Sequence, residues 1–269
     1  MYKRDEVKIM NRIKSDYDYL ESLGFEVVAV ALQGSQNYDL DYEGSDIDTK
    51  AIVLPKFKDL IMGNKKVSKT IVLETDEHID VKDIRLMFDN FLKQNINFLE
   101  FLFTKYIYIN PLYADSIQII IDNREEIAHY DNYKAINCMA GMIYQKYKAL
   151  EHPSPATKDK IDKYGYDGKQ LHHILRCYEF MIRYMKGEPF ADCLISKNAE
   201  YLIKVKKNKA HNLEEARHLS LKVVEKTNAI KKHYVEKNKN VINDEIPKLL
   251  DTVALEILSD YCRKHLKKD

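Results

Sequence analysis

A chain of 269 residues is long enough for two domains of ordinary size, each able to close a core of its own. Hydrophobic residues at 45%, charged residues at 32%, and only 8 glycines and 6 prolines mark a helix-rich globular protein and exclude a disordered or fibrous one. The net charge of +1 gives no sign of a polyanionic partner, but acidic residues dominate between 31 and 100 and basic residues between 196 and 240.

Cys138, Cys177, Cys193 and Cys262 form no Cys-x-x-Cys pair and sit in helical-looking sequence, the pattern of a reduced, cytoplasmic protein. The N-terminal MYKRDEVKIMNRIKSDYDYL is too charged for a signal peptide, and no apolar run approaches the roughly 18 residues of a membrane span. Neither secretion nor a membrane partner is expected.

Residues 3–23 place Val7, Met10, Ile13, Tyr17 and Leu20 at steps of three and four, which predicts a packing helix that Gly24 terminates. Residues 25–32 are rich in β-branched side chains and read as a buried strand running into Gly34-Ser35. A short turn or helix over 36–42 leads to a second strand over 46–54, ended by Pro55. A connector with a short helix fills 56–63. Residues 69–74 and 78–81 give one or two further strands, for a sheet of at least three or four.

From Asp83 the period changes, with Ile84, Met87, Phe88, Phe91 and Leu92 on one helical face. The chain then reads as almost wholly helical: an apolar segment at 97–103, then helices over 111–121 and 137–150. Two prolines and two glycines make 151–168 the best candidate for a long functional loop. Leu171, Ile174, Leu175, Tyr178, Met181, Ile182 and Met185 mark a helix ending at Gly187. Asn212 and Glu215 form a capping box that opens a helix toward Lys237, and a last helix covers 246–266. The fold class expected is α+β: a mixed sheet with flanking helices over 1–110 and a C-terminal helical part over 111–269, the boundary lying within 103–130.

The chemistry concentrates in EVVAVALQGSQNYDLDYEGSDIDTK, residues 26–50. A strand's period of two points Asp46 and Asp48 to one side and Ile47 into the core. Paired carboxylates repel unless a cation neutralises them, and hard oxygen ligands suit Mg²⁺ or Mn²⁺. Gly34 lets the backbone approach a ligand, and Ser35 offers a hydroxyl and N–H groups to a phosphate. A two-metal transfer site needs a third carboxylate, and Asp80 in His78-Ile79-Asp80-Val81 is the first choice. Asp76 and Glu77, in a polar turn, and Asp83, at a helix start where an acidic cap is the ordinary explanation, compete with it. Asp-x-Asp and Gly-Ser are each weak signals; their order along the chain carries the argument.

A second constellation lies after the 151–168 loop, where Lys169, His173 and Arg176 fall at i, i+4 and i+7 behind Asp167. Lysine gives a point charge, arginine a fork for phosphate oxygens, and histidine a donor whose charge is tunable near neutral pH. The competing reading is a solvated helix face capped by Asp167. His172 is a near alternative to His173. The 19 tyrosines, Tyr164 and Tyr166 among them, are more often packing than base-stacking platforms.

The strand, Gly34-Ser35 and Ser45-Asp46-Ile47-Asp48 order resembles the nucleotidyltransferases of the DNA polymerase beta superfamily. QGSQNYDL, SDIDTKAI, the NINFLEFLF segment (Asn95, Glu100, Leu102, Phe103) and GYDGKQLHHILR are similar to one bacterial and phage family of it, some members of which are linked to RNA repair. The similarity runs in patches over about residues 28–190. It departs at Asp39, where relatives often carry Gly. The resemblance implies a polymerase-beta-like catalytic domain that moves an NMP group from an NTP to a hydroxyl with release of pyrophosphate. Asp46, Asp48 and Asp80 would be its catalytic and metal-binding acids, with Mg²⁺ or Mn²⁺ as cofactor. Gly34, Ser35, Tyr38, Ser45, Lys169, His173 and Arg176 would contact the nucleotide. The acceptor stays open among an RNA end met by the basic 196–240 region, a protein hydroxyl and a small molecule. The alternatives are a non-catalytic nucleotide or RNA sensor and a helical interaction protein.

Overall fold

The computed structural model describes residues 4–237, 240 and 242–266; position 3 of the first expected helix and positions 238 and 239 of the basic stretch lie outside them. In chain order the elements are α1 (Glu6–Ser22), β1 (Glu26–Gln33), β2 (Asp48–Leu54), α2 (Phe57–Ile61), β3 (Ser68–Val72), β4 (His78–Asp83), α3 (Ile84–Leu92), α4 (Ile96–Leu99) and β5 (Ile107–Ile109). There follow α5 (Ala114–Asp122), α6 (Arg124–Ala128), α7 (Asn132–Ala149), α8 (Lys158–Tyr164), α9 (Gly168–Met185), α10 (Phe190–Leu194), α11 (Ala199–Lys206), α12 (Leu213–Lys237) and α13 (Glu245–Leu266). The protein is therefore α+β, with a five-stranded mixed sheet and many helices. No helix among the described residues is long and apolar enough to cross a membrane.

The chain divides into two compact units. The first comprises Met1–Asn37, Tyr42–Tyr130 and Asn243–Asp269, and the second Tyr38–Asp41 and Asp131–Ile242. The division at 130/131 departs from the expected 110/111 because α5, α6 and α13 belong with the sheet: α13 packs on α5 and α3, and α6 on α3. The last helix of the chain thus returns to the first unit, which a linear reading of the sequence does not show.

In the first unit the strand order is β3-β4-β2-β1-β5. β2 and β4 run parallel, and the other neighbours are antiparallel. β1 is buried along almost its whole length, as its β-branched run requires of a strand covered on both faces. Ile9, Ile13, Tyr17 and Leu20 of α1 pack on Val27, Val30, Leu32, Ile47, Ala51, Val53, Ile79 and Val81. Ile13, Tyr17 and Leu20 belong to the stripe expected from the sequence, but its first two members, Val7 and Met10, are exposed and Ile9 is buried in their place; Asp5 caps the helix by accepting from Lys8 N at 2.9 Å. β5 was not expected. It has three residues, is pinned to β1 when Asn110 N donates to Val28 O at 2.9 Å, and is too short to show a period.

In the second unit α9 packs against α7, α10, α11 and α12. The expected 151–168 loop is largely ordered: α8 fills its middle and Gly165, at φ +77°, ends α8. Tyr166 is buried with Leu150, Leu171, Val205 and Ala216, and its hydroxyl donates to His211 O at 2.8 Å. The Asn212–Glu215 capping box is present in both directions, Glu215 N donating to Asn212 Oδ1 at 2.9 Å and Asn212 N to Glu215 Oε2 at 3.0 Å.

Gly168 begins α9 against the end of α11, where an added Cβ would collide with the Val205 carbonyl oxygen and approach Asn208 Oδ1 to 2.7 Å. Gly168→Ala is therefore expected to destabilise this unit by about 2–3 kcal/mol, the scale of overpacking against backbone. Urea unfolding followed by circular dichroism measures it; a loss below about 1 kcal/mol would mean that the end of α11 yields.

Candidate active site

The stretch after β1 owes its shape to one backbone torsion and three side chains. Gly34 has φ +95°, a region only glycine enters cheaply, and no atom lies within 4 Å of where its Cβ would be. Glycine is needed there for the turn and not to make room. Ser35–Tyr38 forms one 3₁₀ turn, with Asn37 N donating to Gly34 O at 2.9 Å. The Asn37 side chain donates to Leu32 O at 2.8 Å and accepts from the Thr104 hydroxyl at 2.8 Å. Buried Gln36 donates to the backbone oxygen of Asp46 at 3.3 Å, so the turn is tied to the acidic segment ten residues on. Sequence reasoning missed Gln36 and Asn37, because an amide side chain in a turn has no periodic signature.

Ser35 is half-buried within the turn. Ser45 is occupied locally: its Oγ accepts from Tyr42 N at 2.9 Å and its N–H donates to Tyr42 O at 2.9 Å, which closes a turn before β2. Within the helical unit Asp39 has φ +57°, a left-handed conformation that glycine adopts freely and Asp more readily than most side chains.

The acids differ in their surroundings. The strand begins at Asp48 and not at 46, so exposed Asp46 precedes the ladder and is placed through its backbone: its carbonyl by Gln36, and the next N–H, that of Ile47, by Glu77 Oε1 at 2.9 Å. Asp48 is half-buried, and its Oδ1 accepts from His78 N at 2.9 Å. Asp80 is in register with Lys50 across the parallel β2–β4 pair, which puts Asp48, Lys50 and Asp80 on one face of the sheet.

The three competitors of Asp80 have other employment. Asp83 is fully buried, caps α3 by accepting from Arg85 N at 2.9 Å, and pairs with the Arg85 guanidinium at 2.7 Å. Asp76 is exposed in a turn at φ +63°. Glu77 uses both oxygens, on Ile47 N–H, the Thr75 hydroxyl at 3.0 Å and Arg12. Burial opposes ionisation of Glu77, but these donors together hold its carboxyl below the usual carboxylate range.

Lys50, a residue the sequence did not single out, is 2% exposed. Its ammonium lies 4.0 Å from the centre of the Phe98 ring, 3.9 Å from Asp80 Oδ2 and against the Asn97 carbonyl. Burial, only partly opposed by Asp80 and reinforced by Lys82, pushes the amine down to about 8. Lys82 pairs with Asp80 Oδ1 at 2.6 Å, so two ammonium groups attend this carboxylate.

In the helical unit Asp167 accepts from Lys169 N at 2.9 Å and caps α9, as its alternative reading held. Lys169 is exposed, and the Arg176 guanidinium stacks 4.0 Å from the centre of the Tyr38 ring. Burial, then Arg176, His172, Lys146 and Lys169, push His173 well below its ordinary value. It is accordingly neutral at physiological pH and not the tunable donor that its spacing suggests. His172 is buried, with Nδ1–H donating to Leu202 O at 3.0 Å.

No protein-family model matches the chain, and no curated protein does. The residues themselves are then the measure of what this face holds. Among the described residues, no three His, Cys, Asp or Glu side chains are gathered closely enough to hold a metal ion. Asp46 and Asp48 nonetheless offer hard oxygen donors beside two buried amide oxygens without protein partners, Gln33 Oε1 and Gln36 Oε1, and Gln33 is the register partner of Asp48. That donor set fits Mg²⁺ or Mn²⁺, which retain waters and take further ligands from a substrate phosphate. Asp80, already attended by Lys82 and Lys50, fits such an ion less well.

Proposed function

We propose that the chain is a metal-dependent nucleotidyltransferase that moves an NMP group from an NTP to a hydroxyl acceptor. Its sheet unit is the polymerase-beta-like catalytic domain of this reading, and the helical unit the accessory one. The observation that carries the proposal is the physical link between the Gly34 turn and the acidic segment: Gln36 joins them at 3.3 Å, beside Asp48 at the mouth of β2. A phosphate-suited turn tied to two carboxylates on hard-cation terms is of little use to a purely structural protein.

Bound Mg²⁺ would neutralise phosphate charge and lower the pKa of the attacking hydroxyl. The chain's own residues do the rest. Asp46 and Asp48 would hold the ion, while Gly34 and Ser35 present N–H groups and a hydroxyl to the phosphates. Asp80 is proposed as the third acid, with Lys50 and Lys82 orienting its carboxylate. Tyr38 and Ser45 shape the two ends of the intervening loop. In the helical unit Lys169 and Arg176 supply positive charge suited to polyphosphate, with neutral His173 as a neighbouring donor.

An RNA end is the acceptor we favour, because the sequence of α11, α12 and their connection is rich in lysine, Lys206, Lys207, Lys209 and Lys222 among them, a composition suited to a phosphate backbone. The cysteines are all free thiols, in keeping with a cytoplasmic protein.

The test is incubation with α-labelled NTPs, Mg²⁺ or Mn²⁺, and total RNA or lysate, beside Asp46→Ala. Metal-dependent transfer lost in the variant is the expected result. No transfer to any acceptor, with NTP binding unchanged in Asp46→Ala, would overturn the proposal.

A further inference from the structure

Behind the acidic segment, on the face of the sheet that α1 covers, runs a chain of polar contacts that begins and ends on β2 and its approach. The Thr49 hydroxyl donates to Asp16 Oδ2 at 2.6 Å. Arg12 Nε donates to Asp16 Oδ1 at 2.7 Å, and Arg12 Nη1 pairs with Glu77 Oε2. Glu77 Oε1 accepts from Ile47 N at 2.9 Å. Asp48 therefore lies between two anchored residues, Ile47 held by its backbone and Thr49 by its side chain. None of the four side chains faces the acids they bracket.

Such a network is an expensive way to hold a sheet together. Asp16 is 3% exposed, among the buried residues of α1 with Ile9, Ile13 and Leu20, and burying ionised groups costs free energy that apolar side chains of similar volume do not. Burial raises the Asp16 carboxyl above its usual range, against the pull of Thr49 and Arg12. What the polar ring supplies, and apolar packing does not, is direction. It fixes the N–H of Ile47, the residue between the two carboxylates, and the hydroxyl just after the second.

We infer that Arg12, Asp16, Thr49 and Glu77 are positioning residues that set the geometry of Asp46 and Asp48 from the opposite face of the sheet. The inference rests on the nucleotidyl-transfer reading for its kinetic consequences and on the structure alone for its backbone ones. Glu77→Ala removes the acceptor for Ile47 N–H as well as the partner of Arg12, whereas Glu77→Gln keeps an acceptor at Oε1 for Ile47 N–H and puts a donor where Oε2 met Arg12 and Thr75.

The experiment uses the full chain. Deuterium exchange of the 45–49 segment, melting temperature, kcat and KM for NTP, and the Mg²⁺ concentration at half-maximal rate are measured for both variants. In Glu77→Ala the Ile47 amide exchanges at least tenfold faster, kcat falls by about ten- to a hundredfold as small misplacements of catalytic groups do, KM stays within threefold, and the Mg²⁺ requirement rises. Glu77→Gln, which keeps the Ile47 bond and loses the Arg12 one, falls between wild type and Glu77→Ala in each of these. Where Glu77→Ala does not fold, Thr49→Val, which keeps shape and removes one bond, shows the same pattern at a smaller size.

Wild-type kcat and Mg²⁺ requirement in a folded Glu77→Ala, or equal losses in the Ala and Gln variants, would sink the inference. If wild type transfers no label, the transferase reading fails by itself, and Mn²⁺ binding followed by electron paramagnetic resonance decides. Binding several-fold weaker in Glu77→Ala than in wild type sustains the positioning role, and equal or absent binding ends it.

Discussion

Asp48→Asn is expected to lower nucleotidyl transfer by about a thousandfold, roughly 4 kcal/mol of transition-state stabilisation, with a melting temperature within a few degrees of wild type. The two halves of this expectation have separate grounds. Asn keeps the Oδ1 acceptor, so the 2.9 Å bond from His78 N that ties the start of β2 to β4 survives, and a half-exposed position tolerates the amide. What is lost is the negative charge. The reading of this face depends on charge, since a neutral amide binds a divalent cation weakly and does nothing to offset its water loss. Steady-state rates at saturating NTP and Mg²⁺, beside a thermal melt, measure both. Transfer within tenfold of wild type would remove Asp48 from the reaction, and collapse of the fold would give it a structural role in place of a chemical one.

The parts of this molecule legible in the sequence are those governed by local rules. The second half of the α1 stripe, the buried β1 run, the helical period from Ile84 and the Asn212–Glu215 box all read correctly, because spacing along the chain dictates each of them, whereas Val7 and Met10 at the start of α1 are exposed. Gly34 and Asp39 read as special positions, and their positive φ angles are the reason. Long-range partners were not legible. Glu77 looked like an acid in a polar turn, yet it reaches Arg12 of α1 and the amide of Ile47, 65 and 30 positions away in the chain. Lys50 looked like a strand lysine, and only the β2–β4 register brings it beside Asp80. The division into units, which falls after Tyr130 at the end of the expected 103–130 window, was blurred for the same cause: α5 and α6 follow the sheet without a break in composition, and α13 returns to α5 and α3 over a stretch of sequence that records nothing of it.

The helical unit is expected to lose stability as pH falls below about 6.5, with His172 as a principal cause. Burial first, then the positive charges of Arg176, Lys206 and Lys169, push this imidazole down to about 3, against the bond from Nδ1–H to Leu202 O that favours its charged form. Unfolding releases it to water, where it takes up a proton near its ordinary value. Between these two values the unfolded chain binds the extra proton, so the stability contributed by the neutral ring is complete above about pH 6.5 and is lost toward about pH 3. One group of this kind changes stability by at most about 1.4 kcal/mol per pH unit, or roughly 3 kcal/mol by pH 4. His173, depressed by the same cations, adds in the same direction. Asp16 of the sheet unit works oppositely, since its carboxyl is raised. The measurement is urea unfolding from pH 7.5 to 4, in wild type and in His172→Gln, whose side-chain amide preserves a donor for Leu202 O and carries no titrating proton. The variant flattens the acid slope if the buried imidazole is its source, and an unchanged slope would assign the loss to other groups. The same argument bears on function, because with both histidines neutral at physiological pH the positive charge of α9 rests on Lys169, Arg176 and Arg183.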